Sequence, residues 1–248
     1  LMNVGVQFLR EHMEPQARIH YAVTDGGGCS PNVVQSKASV LYMVRSPQVK
    51  KAVELQKRVD DIAAGAALMT GTTCERKFID GVAETIPNHV LEALLYQNFA
   101  EVGVPQHTSQ EMTFAAELAA TYDAGGHIPG SGSENADYAA RVKTLLPGTA
   151  MNDVLLPLFT GEAFCPGSTD VGDVSWQCPT AQLHVASWPN GCPGHSWQNV
   201  SCGKTSIGHK AAITAGKVLC AAAIDLLEQP ELIAAAKTEF AGRTAEGY

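Results

Sequence analysis

The first 78 residues change hydrophobic period repeatedly around one glycine-rich turn, and that order limits the fold more than any other feature. Met2, Val6, Leu9 and Met13 recur at helical spacing, with no capping residue ahead of them. Residues 17–25 then alternate, Ile19, Tyr21 and Val23 against Arg18, His20 and Ala22, as a half-buried strand does. Gly26-Gly27-Gly28 and Pro31 end that run, because glycine reaches backbone conformations closed to other residues. A second strand is predicted over residues 37–45. Ser46-Pro47 supplies an N-cap and a first helical residue for a helix reaching residue 67, along which Val49, Val53, Val59, Ile62 and Ala66 roughly keep helical spacing. Another strand is expected over residues 68–78. Helix, strand, strand, helix, strand is a βαββαβ sandwich without its first strand, so the abrupt start at Leu1 predicts missing upstream sequence.

A boundary is expected at Pro87, dividing residues 1–87 from residues 88–248. Asn88 is placed to cap a helix carrying Val90, Leu91, Leu94, Leu95 and Val102, which Gly103 can end. Thr108 and Glu111 have capping-box spacing, predicting a helix through Tyr122. Residues 125–135, rich in Gly and Ser, read as an exposed loop. Strand-like runs come next, at residues 154–159 and 182–188. A long helix is predicted over residues 206–227, and a last one begins at Pro230.

Composition excludes several functions. A net charge of −8, without any run of Lys or Arg, argues against nucleic acid as a partner. No apolar stretch approaches the ~20 residues of a membrane span; the alanine-rich run near Val218 is interrupted by Lys217 and Asp225. No secretory signal is visible. The seven cysteines are scattered, with no Cys-x-x-Cys pair, which fits a reducing, cytoplasmic setting better than a disulfide framework or a zinc ribbon.

Candidate chemistry concentrates after Gly167. His195, in Pro193-Gly194-His195-Ser196-Trp197, comes after a predicted strand and a turn, and can present an imidazole to a metal or simply to solvent. His209 has the same two readings. His184 is most simply a core or edge residue, and His12, His89, His107 and His127 read as surface or cap-adjacent. Asp170 and Asp173 can orient a ligand histidine or cap a short helix. Asn32 behind the glycine turn and Arg45 at a strand end are the polar residues best placed to bind a carboxylate; their plain roles are turn formation and solvation. A cysteine nucleophile with a histidine base, Cys192 with His195 or Cys202 with His209, has only sequence proximity in its favour.

Arg18-Ile19-His20-Tyr21, Asp25-Gly26-Gly27-Gly28, Ser30-Pro31-Asn32-Val33-Val34, the run from Val40 to Arg45, the run from Ser168 to Trp176 and the tract from His195 to Lys210 resemble the superfamily of aminoacylases, succinyl-diaminopimelate desuccinylases and bacterial glutamate carboxypeptidases. The resemblance covers nearly the whole chain. It implies an α/β fold in which residues 1–87 are a ferredoxin-like dimerisation domain lacking its first strand, and residues 88–248 the C-terminal part of a zinc-peptidase-like catalytic domain. The activity implied is hydrolysis of N-acyl or aryl-amide bonds to an amino acid such as glutamate, through metal-activated water, with two Zn or Mn ions per site. His195 matches the last metal ligand, Asn32 and Arg45 match substrate-binding positions, and Asp170 matches a site-adjacent Asp. A small-molecule amide substrate and a homodimer through residues 1–87 are the implied partners. The family's other ligands and its Glu base match nothing in residues 1–248, so this chain alone is expected to be inactive. The competing reading is a non-catalytic dimerisation or binding module.

Overall fold

The computed structural model describes residues 1–123, 136–146, 148, 150–160 and 164–247. It is a mixed α/β chain, about half helical, and among the described residues it has one two-stranded sheet. Two compact units divide it, the first made of Leu1–Thr85, Phe164–Gln177 and Glu246–Tyr248, the second of Ile86–Ala163 and Cys178–Ala245.

In the first unit α1 (Met2–Leu9) leads through a 3-10 turn at Arg10–His12 to β1 (Arg18–Asp25), then β2 (Ser39–Arg45) and α2 (Val49–Thr70). The strands pair antiparallel, Ile19 opposite Val44 and Tyr21 opposite Tyr42, with an irregularity between Val23 and Asp25. Val6 and Leu9 of α1, Ile19 of β1 and Leu55 and Val59 of α2 form the core, because the i, i+3 and i, i+4 spacings turn those side chains to one face of each helix. The Arg10 guanidinium donates to the Ile19 carbonyl at 2.6 Å, tying the end of α1 to the sheet. Burial fades along β1: Ile19 is enclosed, whereas Tyr21 and Val23 of the same face are exposed.

Two expectations for this unit fail. Residues 68–78 form no strand, since α2 runs on to Thr70 and stops only where Gly71 takes φ 64°, the left-handed cap open to glycine. Ser46 is not the cap of α2 either. The helix starts at Val49, whose N–H is taken by the Glu84 carboxylate at 2.9 Å, while the Ser46 hydroxyl donates to Glu14. The observed unit is therefore helix, strand, strand, helix.

The second unit begins with α3 (His89–Val102), α4 (Ser109–Ala119) and α5 (Ala136–Leu145); α6 (Val171–Ser175) lies in the first unit, and α7 (Trp197–Cys202), α8 (Ser206–Glu228) and α9 (Pro230–Arg243) complete the second. Asn88 caps α3 as expected, accepting from Leu91 N–H at 3.1 Å, and its amide also donates to the Ala236 carbonyl of α9 at 2.9 Å. The Thr108–Glu111 capping box is present. Leu94, Leu95 and Phe99 of α3 pack on Val218 and Ala222 of α8; Ala115, Met151 and Ile207 form a second cluster. Helix α5 is an element for which the sequence reading has no counterpart, and only Val142 of it is buried. The loop expected at residues 125–135, with His127, lies outside the described residues. Residues 154–159 and 182–188 form no strand, because no segment among the described residues offers them a hydrogen-bonded ladder.

Candidate functional site

His195 occupies a turn held on both sides. Its φ of 57° makes it the one non-glycine residue in the left-handed region among the described residues, a conformation costing ~1–2 kcal/mol for a side-chain-bearing residue. Ser196 fixes the chain immediately after it: the Ser196 hydroxyl donates to the Pro193 carbonyl at 2.7 Å and accepts from Asn199 N–H at 3.2 Å as the cap of α7. Cys192 before the turn and Cys202 at the end of α7 are buried, so the exposed imidazole rides on an anchored support. Strain retained at a single polar side chain on a rigid turn is a mark of functional positions.

Both thiols are pushed up by burial and stay protonated at neutral pH, and neither hydrogen-bonds a histidine. That argues against the cysteine-nucleophile reading, which needs thiolates. His209 is exposed in the first turn of α8, and His184 is exposed too.

Asp170 and Asp173 flank the start of α6. Asp170 stands at the N-cap position without a side-chain cap bond, and Asp173 accepts from Ala83 N–H at 3.0 Å. Trp176 Nε1 donates to the Glu84 carbonyl at 3.1 Å. Gly172 lies so close to this segment that an added Cβ would meet the Ala83 oxygen at 2.0 Å. Arg45 binds the same region, its guanidinium donating to the Pro166 carbonyl and, at 2.7 Å, to the Ser168 hydroxyl. Asn32 is exposed in the β1–β2 loop. Arg45, Asp170 and Asp173 thus belong to one neighbourhood of the first unit, and His195 and His209 to the second unit.

Among the described residues no three His, Cys, Asp or Glu side chains converge as a metal site would require. Among the described residues His195 is an exposed imidazole outside any such cluster.

The most strongly perturbed group escaped the sequence. Glu111, read there only as a capping residue, accepts from Lys210 Nζ at 2.7 Å, Ser206 Oγ at 2.5 Å and Thr108 N–H at 2.6 Å. These bonds hold its pKa down at about 2. His107 is corrected as well: its side chain is 2% exposed, with Nδ1 3.9 Å from the Glu111 carboxylate, and burial pushes its pKa below the usual histidine value. No local pattern distinguishes a cap from a cap that also ties α4 to α8.

No family model matches the chain. It is 40% identical over 233 residues to a subunit of p-aminobenzoyl-glutamate hydrolase from Escherichia coli, a match spanning 91% of this chain and 48% of that relative. It is 24% identical over 242 residues to human Xaa-Arg dipeptidase, spanning 95% of this chain and 43% of the relative. Mouse Xaa-Arg dipeptidase is 31% identical over 108 residues, 42% of this chain and 24% of the relative. The chain therefore spans about half, or less, of the length of the relatives it matches. Over nine-tenths of its length the chain is similar to a subunit of an amidohydrolase, and the resemblance drawn from its motifs to the aminoacylase, desuccinylase and glutamate carboxypeptidase superfamily, which includes these relatives, holds.

Proposed function

We propose that this chain is the C-terminal portion of a metal-dependent amidohydrolase acting on N-acyl or aryl-amide bonds to an amino acid, with aminobenzoyl-glutamate-like compounds as substrates. The 40% identity to the hydrolase subunit, sustained over 91% of the chain, carries this reading. In it residues 1–87 act as the ferredoxin-like dimerisation domain and residues 88–248 as the returning part of the catalytic domain. His195 is the imidazole this chain contributes to a two-metal Zn or Mn centre. Its exposed ring and anchored turn support that role. The bound ions would supply activation of the hydrolytic water. The remaining ligands and the general base lie in sequence this chain does not contain, so the chain alone is inactive.

Asn32 and Arg45 bind the substrate carboxylate; a guanidinium has five N–H donors and keeps some free while bonded to Pro166 and Ser168. Asp170, Asp173 and His209 stand beside the site. A homodimer forms through residues 1–87, whose two strands each keep an unpaired edge among the described residues and whose outer face exposes Leu41 and Met43. Those edges also favour the second reading, a dimerisation or binding module without catalysis. All seven cysteines are free thiols, in keeping with a cytoplasmic setting.

Hydrolysis of p-aminobenzoyl-glutamate, measured with Zn or Mn on the chain joined to the remaining portion of a relative, separates the two readings. Activity abolished by His195→Ala supports the hydrolase assignment. Unchanged activity in that variant removes His195 from the site, and a dimer without hydrolysis leaves the binding module.

A further inference from the structure

The segment carrying His195 is held at both ends by two adjacent side chains of another element. Thr121 and Tyr122 follow α4 directly, and their N–H groups still bond to the Leu118 and Ala119 carbonyls, at 3.0 and 3.5 Å, so both side chains leave a fixed support. The Tyr122 hydroxyl donates to the Asn190 carbonyl at 3.0 Å. The Thr121 hydroxyl donates to the Leu118 carbonyl at 2.7 Å and accepts from Gln198 Nε2, in α7, at 3.3 Å. Asn190 precedes His195 and Gln198 follows it, so the left-handed backbone of His195, φ 57°, lies between the two points of attachment. Gln198 is buried and Tyr122 partly so, and the Asn190 N–H donates to the Ala150 carbonyl at 2.7 Å. The support itself is anchored: Ala115 and Leu118 of α4 are buried, and Glu111 near its other end is bound by Ser206 and Lys210 of α8.

Backbone strain persists only where the surroundings over-determine it. The Ser196 bonds act inside the turn and set its shape. Only bonds from a separate element fix where that shape stands within the second unit, and Thr121 and Tyr122 supply one on each side of His195. A metal ligand has to be held within about 0.5 Å of its working position. We propose that Thr121 and Tyr122 are positioning residues that clamp Asn190 and Gln198 and thereby aim the His195 imidazole. This rests on the reading of His195 as a metal ligand and adds what places it.

Tyr122→Phe and Thr121→Val each remove one hydrogen bond to the segment and keep the size of the side chain; the double variant removes both. The first readout needs no metal: ring signals of isotopically labelled histidines in the isolated chain, with those of His195 identified by their loss in His195→Gln. The His195 signals shift or broaden in each variant, most in the double one, while those of His89 and His184 stay in place. Loss of stability alone does not move the signals of the folded state. Unchanged His195 signals in the double variant overturn the clamp, and equal displacement of all three histidines overturns it as well. The second readout is hydrolysis by the chain joined to the remaining portion of a relative. The double variant lowers kcat at least tenfold with KM within about twofold, because a misplaced group slows the chemical step. A displaced His195 ring with kcat unchanged overturns the positioning role, and keeps the proposed function if His195→Ala is inactive. An active His195→Ala removes the ligand reading and the clamp's role with it.

Discussion

Replacing Glu111 by Gln keeps the shape of the side chain and removes its charge from the junction between α4 and α8. Glu111 is 8% exposed, and its carboxylate accepts three hydrogen bonds, two of them from side chains of α8. Its pKa falls from an ordinary 4.5 to about 2 in the folded chain. At ~1.36 kcal/mol per tenfold change in proton affinity, that fall corresponds to ~3 kcal/mol of stabilisation at neutral pH. Lys210, the strongest of the partners, is itself 36% exposed, and screening there trims the figure to ~2 kcal/mol. Because the folded pKa is the lower one, the stabilisation is whole above pH 4.5 and drains away as pH falls towards 2. More than half is gone at about pH 3 by the linkage relation. Urea unfolding followed by circular dichroism, on the native chain and Glu111→Gln in parallel, reads the difference directly and cancels the other carboxylates. The expected gap is ~2 kcal/mol at about pH 7, shrinking by more than half at about pH 3. A gap of the same size at both pH values would refute the charge argument, and no gap at neutral pH would refute the network.

Gly172→Ala puts a methyl group 2.0 Å from the Ala83 oxygen, so α6 must shift; a loss of ~1–3 kcal/mol in urea unfolding is expected, and a neutral result would mean that α6 does not sit against residues 83–84. Leu55→Ala opens the core between α1, β1 and α2 and should cost ~2–5 kcal/mol in the same assay, against which a surface change such as Lys57→Ala provides the reference. His195→Gly relieves the left-handed backbone and should raise stability by ~1 kcal/mol, whereas His195→Ala should not; equal effects in the two variants would deny the strain. Cys192 and Cys202 should react with a thiol reagent far more slowly than Cys29, Cys74, Cys165, Cys178 and Cys220, as mass spectrometry of the labelled native chain will report.

Features written within a few neighbouring residues were legible in the sequence. The caps at Asn88 and Thr108, the long helix from Ser206 and the two strands around the glycine turn each depend on side chains a few positions apart, and each is present. The strands expected at residues 68–78, 154–159 and 182–188 depend on partners elsewhere, since a strand exists only as a paired ladder.

His195 was visible as a candidate because it comes after a turn, but its left-handed backbone was not. Sequence alone determined the capped helices at Asn88 and Thr108, the long helix from Ser206, the two strands around the glycine turn, the acidic and thiol-bearing character of the chain and its resemblance to a hydrolase superfamily. Tertiary structure decided that Arg45 reaches Pro166 and Ser168, that Asp173 serves Ala83, that His107 is buried, and that Glu111 binds α8 through Ser206 and Lys210. Most of those contacts join residues some 90 to 120 positions apart. No local spacing records them; only the packing of one element against another brings such groups within hydrogen-bonding reach.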